Sequence, residues 1–214
     1  MSWNAVIRTV LLASVLMVGP LGMAGCAHFE GAGQPAPDKT GAVSDREAQR
    51  GLPFDIADNT PMAPYGDEMT TIVTNYNRPA PYIGSGGHLG EGAMSELKAM
   101  GFTTVVSLLT PAEGLAAERR AARQAGLNFF GISVSSATPT AGQVQSFAEI
   151  ASTTSHYPIL IHCASSNRVG AMWALYRHRM GVPAGIALEE GKAAGLKPSK
   201  EVAVRERLGL DPGD

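Results

Sequence analysis

The run Tyr157-Pro158-Ile159-Leu160-Ile161 constrains this chain more than any other. It is short and wholly apolar, so a strand built from it is buried on both faces. Such a strand belongs at the centre of a mainly parallel sheet covered on both sides. Parallel neighbours need crossovers, which predicts helices alternating with strands. The 214-residue chain shows that alternation from about residue 67 onward. Thr71–Val73 and Tyr82-Ile83 read as short strands. Glu91–Met100 reads as a helix, with Met94, Leu97 and Met100 on one face and Gly101 as its stop. Phe102–Leu109 is a β-branched, apolar strand. Ala112–Ala125 is helical up to Gly126, and Asn128–Val134 is a strand. Thr140–Ser152 is a helix with Thr140 placed to cap it. Beyond the central strand, Gly170–Met180 is helical, and 184–194 and 199–208 are two further helices.

In sheets of this kind, sites form at the carboxyl ends of the strands. Here that end carries His162-Cys163-Ala164-Ser165-Ser166-Asn167-Arg168-Val169-Gly170. Small residues after the cysteine let consecutive backbone N–H groups turn inward, and the helix start adds its partial positive charge. Such a cradle favours a thiolate over a thiol. Arg168 offers a planar, permanently charged fork that matches two oxygens of a tetrahedral oxyanion. His162 can orient the loop. The pattern places a nucleophile in an anion pocket, as covalent thiol catalysis requires.

Composition narrows the remaining classes. A formal net charge of -2 gives no reason to expect nucleic acid as a partner. The two cysteines, Cys26 and Cys163, exclude a disulfide framework and any multi-cysteine metal site, and the five histidines show no metal-ligand spacing. No metal or cofactor is expected. Residues 1–25 read as a signal peptide: Arg8 precedes an apolar stretch from Val10 to Val18, too short to span a bilayer comfortably. Met23-Ala24-Gly25-Cys26 resembles the lipobox of bacterial lipoprotein signals. That resemblance implies lipidation at Cys26 and a periplasm-facing protein anchored to a bacterial membrane, with Ala27 favouring the outer membrane. Residues 26–66, rich in Gly, Ala and Pro, read as a flexible tether. The domain then covers 67–208, and 209–214 form a tail. With Cys26 lipidated, Cys163 is the one free thiol in an oxidising compartment.

The chain resembles the protein-tyrosine-phosphatase-like superfamily, and within it the bacterial beta-lactamase-hydrolase-like protein, phosphatase-like domain. The carrying residues are Tyr82-Ile83-Gly84-Ser85-Gly86-Gly87, Gly101-Phe102-Thr103-Thr104-Val105-Val106, Pro111-Ala112-Glu113, Ala125-Gly126-Leu127-Asn128, Thr138-Pro139-Thr140 and His162 to Ala171. The resemblance implies a dual-specificity-phosphatase-like α/β fold, with a mainly parallel central sheet flanked by helices. It makes Cys163 the nucleophile, Arg168 the oxyanion ligand and Ala164 to Asn167 the amide donors. The substrate would be a small oxyanion or a phosphorylated compound.

Two departures from the family pattern bear on chemistry. Four residues separate Cys163 from Arg168, one fewer than in the phosphatase signature. That spacing also occurs in rhodanese-type sulfurtransferases, whose cysteine carries a persulfide received from a sulfane-sulfur donor. The family's general acid is an Asp, and no Asp lies between residues 68 and 210. Ser135-Ser136-Ala137 occupy the expected place, and Val169 stands where a hydroxyl is common. Glu113, just beyond the strand ending at Leu109, is the substitute acid, or else a carboxylate complementing a helix dipole. Three readings follow: a cysteine-dependent phosphatase-like hydrolase, a sulfurtransferase, and an anion-binding module without turnover.

Overall fold

The computed structural model describes residues 60–69, 71–135 and 138–211. The signal peptide, Cys26 and most of the proposed tether lie outside the described residues. Among the described residues, five strands form one sheet in the order β1-β2-β5-β3-β4. They are β1 (Asn77–Ala80), β2 (Ile83–Gly86), β3 (Thr104–Ser107), β4 (Asn128–Gly131) and β5 (Ile159–His162). β1 runs antiparallel to β2, and all other pairings are parallel. Six α-helices among the described residues accompany them: α1 (Ala93–Ala99), α2 (Leu115–Gln124), α3 (Ala141–Ala151), α4 (Asn167–Arg179), α5 (Ala184–Ala193) and α6 (Pro198–Leu208). The mixed α/β architecture and the central place of β5 are those expected from its apolar run.

Every residue of β5 is buried. Period-two alternation divides the strand between two cores. Ile159, Ile161 and Cys163 pack with Val106 and Leu108 against Phe147, Met172, Trp173 and Leu188 of α3, α4 and α5. Leu160 packs with Val105 against Met94, Leu97 and Ala122 of α1 and α2. Cys163 therefore belongs to the side of the sheet that carries α4. Trp173 and Tyr176 of α4 are core residues.

Four expectations need correction. Thr71–Val73 is not a strand; Val73 makes a single bridge to Leu89. The first strand is instead Asn77-Arg78-Pro79-Ala80, which lacks a period-two apolar pattern and carries a proline that only an edge strand tolerates. The helix expected over Ala112–Ala125 is broken at Gly114, whose φ of 100° lies in the left-handed region, so Pro111–Glu113 form a separate 3-10 turn. The helix expected from Gly170 begins at Asn167, with Ser166 in the left-handed region at φ 67°. The proposed tether also ends earlier than residue 66. Ala63 is buried and donates its N–H to Pro81 O at 2.8 Å, and Tyr76 Oη donates to Pro64 O at 2.8 Å.

Two helices behind the central strand meet through glycine. A Cβ on Gly170 would lie 2.0 Å from Leu196 N and 2.5 Å from Gly191 O. Both are backbone atoms, so no side chain can swing away to make room. Gly170→Ala is therefore expected to destabilise the protein by about 3 kcal/mol or more, at or beyond the upper end for overpacked cores. Urea unfolding followed by circular dichroism checks this.

Candidate active site

The loop after β5 is fixed at both ends by backbone pairing. Cys163 N–H donates to Gly86 O (3.2 Å) and His162 O accepts from Leu108 N–H (2.9 Å). Ser165 bridges Gly87, where a Cβ would stand 3.3 Å from Ser165 Cα and 3.1 Å from Thr74 O. The left-handed Ser166 turns the chain abruptly into α4. Gly170 N–H donates to Ser166 O (2.8 Å), the first bond of the helical ladder. Asn167, Arg168 and Val169 thus form the first turn of α4, whose N–H groups have no helical acceptor. This corrects the place given to Gly170 in the anion loop. Its N–H is spent in the helix, and its contribution is the close approach to α5.

Arg168 is 8 % exposed and held from three sides. Its Nη2 donates to Glu113 Oε1 at 2.6 Å, and its Nη1 to Glu113 Oε2 at 2.8 Å. Nη1 also donates to Val134 O (2.8 Å) and Leu108 O (3.3 Å). Glu113 therefore grips the outer edge of the guanidinium. The edge formed by Nε and the second Nη2 hydrogen remains for another planar or tetrahedral oxyanion. Hydrogen bonding to Glu113 raises the Arg168 pKa, and the neighbouring Cys163 side chain raises it further. The structure thus brings Cys163, Arg168 and Glu113 together from the ends of β5, α4 and β3.

Glu113 is not placed as a proton donor. The Arg168 hydrogen bonds, the Thr110 N–H (2.9 Å) and the Thr110 hydroxyl (2.8 Å) hold its carboxyl down to about 2. A group with that pKa is ionised at neutral pH, where a general acid must carry its proton. The alternative of a helix-start carboxylate holds in altered form: Glu113 closes a capping box with Thr110 on the Pro111–Glu113 turn, and Gly114 separates it from α2.

On the other side of the sheet, His162 is 1 % exposed. Its Nε2 lies 3.3 Å from Glu118 Oε2, outside hydrogen-bond alignment, and its Nδ1 has no hydrogen-bond partner among the described residues. Ser107 Oγ donates to the same Glu118 oxygen at 2.7 Å. Burial pushes the Glu118 carboxyl up, but His162, Ser107 and His88 together bring it below its ordinary value. Sequence reasoning singled out neither Ser107 nor Glu118. Both lie in ordinary strand and helix patterns, and only the sheet register sets them beside His162.

Two cavities flank this arrangement. One, of about 380 Å³, is lined by Thr110, Glu113, Ser135, Ser165, Asn167, Arg168 and Lys200. The other, of about 580 Å³, lies between α1 and α2 and is lined in part by His88, Leu89, Met94, Leu109, Glu113 and Glu118. Cys163 is 1 % exposed and lines neither. Ala164 is exposed, and the Val169 side chain is buried in the core. Arg119, Arg120 and Arg123 are exposed on α2. Among the described residues, no group of His, Cys, Asp and Glu is arranged to hold a metal.

The family model described as "DSP-PTPase phosphatase fused to NAD+ Kinase" matches residues 74–204. No curated protein matches the chain. Among solved structures, a candidate phosphatase (DUF442) from Shewanella putrefaciens CN-32 shares 21% identity over 66% of this chain and 97% of its own, with a TM-score of 0.50. A candidate phosphatase from Neisseria meningitidis Z2491 shares 20% identity over 64% and 96%, with a TM-score of 0.52. The core catalytic domain of the PP-IP phosphatase SIW14 from S. cerevisiae, solved with citrate, shares 15% identity over 65% and 86%, with a TM-score of 0.54. These likenesses show a common fold.

The Glu113 pairing has a consequence for acid stability. A carboxyl lowered from 4.5 to about 2 favours the folded state fully above 4.5, and that contribution disappears as pH falls toward 2. Glu113→Gln should flatten the stability-versus-pH curve between about pH 4.5 and 2 and lower stability at pH 7. Chemical denaturation of both proteins across that window measures the difference.

Proposed function

This chain belongs to the family described as "DSP-PTPase phosphatase fused to NAD+ Kinase", and on that premise we propose that it is a cysteine-dependent phosphatase-like hydrolase with Cys163 as nucleophile. The observation that carries the reading is the guanidinium of Arg168, clamped on its outer edge by Glu113 with its inner edge left for an oxyanion beside Cys163. In the proposed reaction the Cys163 Sγ attacks phosphorus. The S–P bond forms as the P–O bond to the leaving group breaks, and the electron pair departs with that oxygen. Water then attacks the phosphorus and breaks the S–P bond, which releases orthophosphate and returns the thiolate. Arg168 and the first-turn amides of α4 hold the phosphoryl oxygens as charge moves onto them. Because Cys163 is buried, entry of the phosphoryl group requires the loop side chains to shift.

Glu113 is a positioning residue in this scheme. It fixes the plane of Arg168 and supplies no proton. With no Asp between residues 68 and 210, the leaving oxygen departs as an anion or takes its proton from solvent. Leaving groups of low basicity are therefore favoured, and p-nitrophenyl phosphate is a suitable probe. The four-residue spacing supports a second reading, sulfur transfer through a Cys163 persulfide. That chemistry needs no general acid.

The soluble fragment from residue 60 should hydrolyse p-nitrophenyl phosphate, and Cys163→Ser should lose about 10³-fold or more in kcat. Thiosulfate-to-cyanide transfer is measured beside it. Sulfur transfer without phosphate release replaces the hydrolase reading with the sulfurtransferase one. Retention of vanadate binding with neither activity supports an anion-binding module.

We further propose, from the amino-terminal sequence alone, that the domain lies outside the cytoplasm. Met23-Ala24-Gly25-Cys26 and the apolar stretch before it support export, lipidation at Cys26, and attachment to a bacterial membrane with the domain facing the periplasm. Residues 26 to about 60 would then span the distance from membrane to domain. Metabolic labelling with a fatty acid should mark the full chain and leave Cys26→Ser unlabelled. A labelled Cys26→Ser protein would overturn the anchor.

A further inference from the structure

On the side of the sheet away from Cys163, the core changes character toward the carboxyl ends of β3 and β5. Val105 and Leu160, paired in register, are apolar and pack among residues of α1 and α2. Ser107 and His162, the next pair on that face, are polar and buried. Glu118 of α2 meets both. Its Oε2 accepts from Ser107 Oγ at 2.7 Å and lies 3.3 Å from His162 Nε2. Its Oε1 accepts no hydrogen bond among the described residues.

The cavity of about 580 Å³ between α1 and α2 has this carboxylate in its lining. Small residues make the room: Ala117 and Ala121, one helical turn apart, share a face of α2. Met94 and Leu109 add apolar wall. The ionisable residues of the lining are His88, Glu113 and Glu118, and the described lining holds no Lys or Arg. Glu113 is committed to Arg168 through two hydrogen bonds. Burial raises the Glu118 pKa, but His162, Ser107 and His88 together hold it below its ordinary value, so the group is a carboxylate at neutral pH. An ionised carboxylate accepts hydrogen bonds on both oxygens, and one of the two is open here.

We propose that this cavity is a second ligand site, for a small molecule that carries a primary ammonium on an apolar body. The ammonium donates to Glu118 Oε1, and the body packs against Met94, Leu109 and Ala117. An anionic ligand would meet two carboxylates and no fixed cation. A neutral donor would make a weaker hydrogen bond than a charged one. A cavity of about 580 Å³ is within the small-molecule range. The site stands on Glu118 and the walls around it, whatever reaction Cys163 carries out.

Calorimetry on the full-length protein tests this with three probes of one shape: tryptamine, the alcohol tryptophol and the carboxylate indolepropionate. Tryptamine should bind about tenfold tighter than tryptophol, the lower end for a hydrogen bond between charged groups, and indolepropionate weakest of all. Methyl NMR of methionine-labelled protein should show the Met94 signal moving with tryptamine. Glu118→Gln should bring the tryptamine-to-tryptophol ratio to about one, and Ala117→Trp, which fills the cavity from an exposed helix position, should abolish binding of both. Thermal melts confirm that each variant is folded. Equal affinities for amine and alcohol in the unmutated protein, or a Met94 signal that saturating tryptamine leaves in place, would overturn the proposal without recourse to any variant. An amine preference that survives Glu118→Gln, or binding that survives Ala117→Trp, would do the same.

Discussion

The Arg168 guanidinium ties together the ends of three strands. It starts in α4, directly after β5, and donates to Leu108 O beyond β3, to Val134 O beyond β4, and to Glu113 on the turn that follows β3. A buried cation without partners would cost several kcal/mol, so each of these acceptors matters to the fold as well as to the site. The same bonds orient the group. With its outer edge committed, only its inner edge can meet an anion, and that edge lies beside Cys163. Stability and preorganisation therefore rest on one set of contacts.

A second set of contacts secures the loop from behind. Gly170 lets α5 and the residues after it approach α4 to within backbone contact. Gly195 fits under Ser166, and Asn167 holds Lys197 and Ser199. A left-handed non-glycine residue such as Ser166 costs about 1 kcal/mol or more in isolation and persists only where its surroundings fix it. Here the surroundings come from a segment about thirty residues further along the chain. The last helices are thus part of the site, although they contribute no residue of the His-Cys-x4-Arg pattern.

Much of the fold was legible because burial imposes periodicity. The apolar run at β5 required a covered sheet, and Thr140 marked its helix through a capping box with Gln143. The errors came where local pattern and tertiary demand part. Asn77–Ala80 pairs only at an edge, so it needs no apolar alternation. Gly114 interrupts a segment whose composition is helical, because that break is what turns Glu113 toward Arg168. Asn167 to Val169 looked like loop because small and polar residues suit an anion cradle as well as the first turn of a helix.

By itself, the sequence determined the covered parallel sheet, the position of Cys163 at the carboxyl end of its central strand, and Arg168 on the helix side of the same loop. These follow from residue type and short-range spacing, which the chain carries wherever it folds. Tertiary structure alone decided the partners. It placed Glu113 on Arg168, across fifty-five residues of chain, and so made it an ionised clamp where residue type suggested an acid. It turned His162 and Cys163, adjacent in sequence, to opposite faces of the sheet, one toward Glu118 and the other toward Arg168. A side chain's protonation and reach depend on what lies within a few ångströms of it, and that distance is set by packing between elements far apart in the chain.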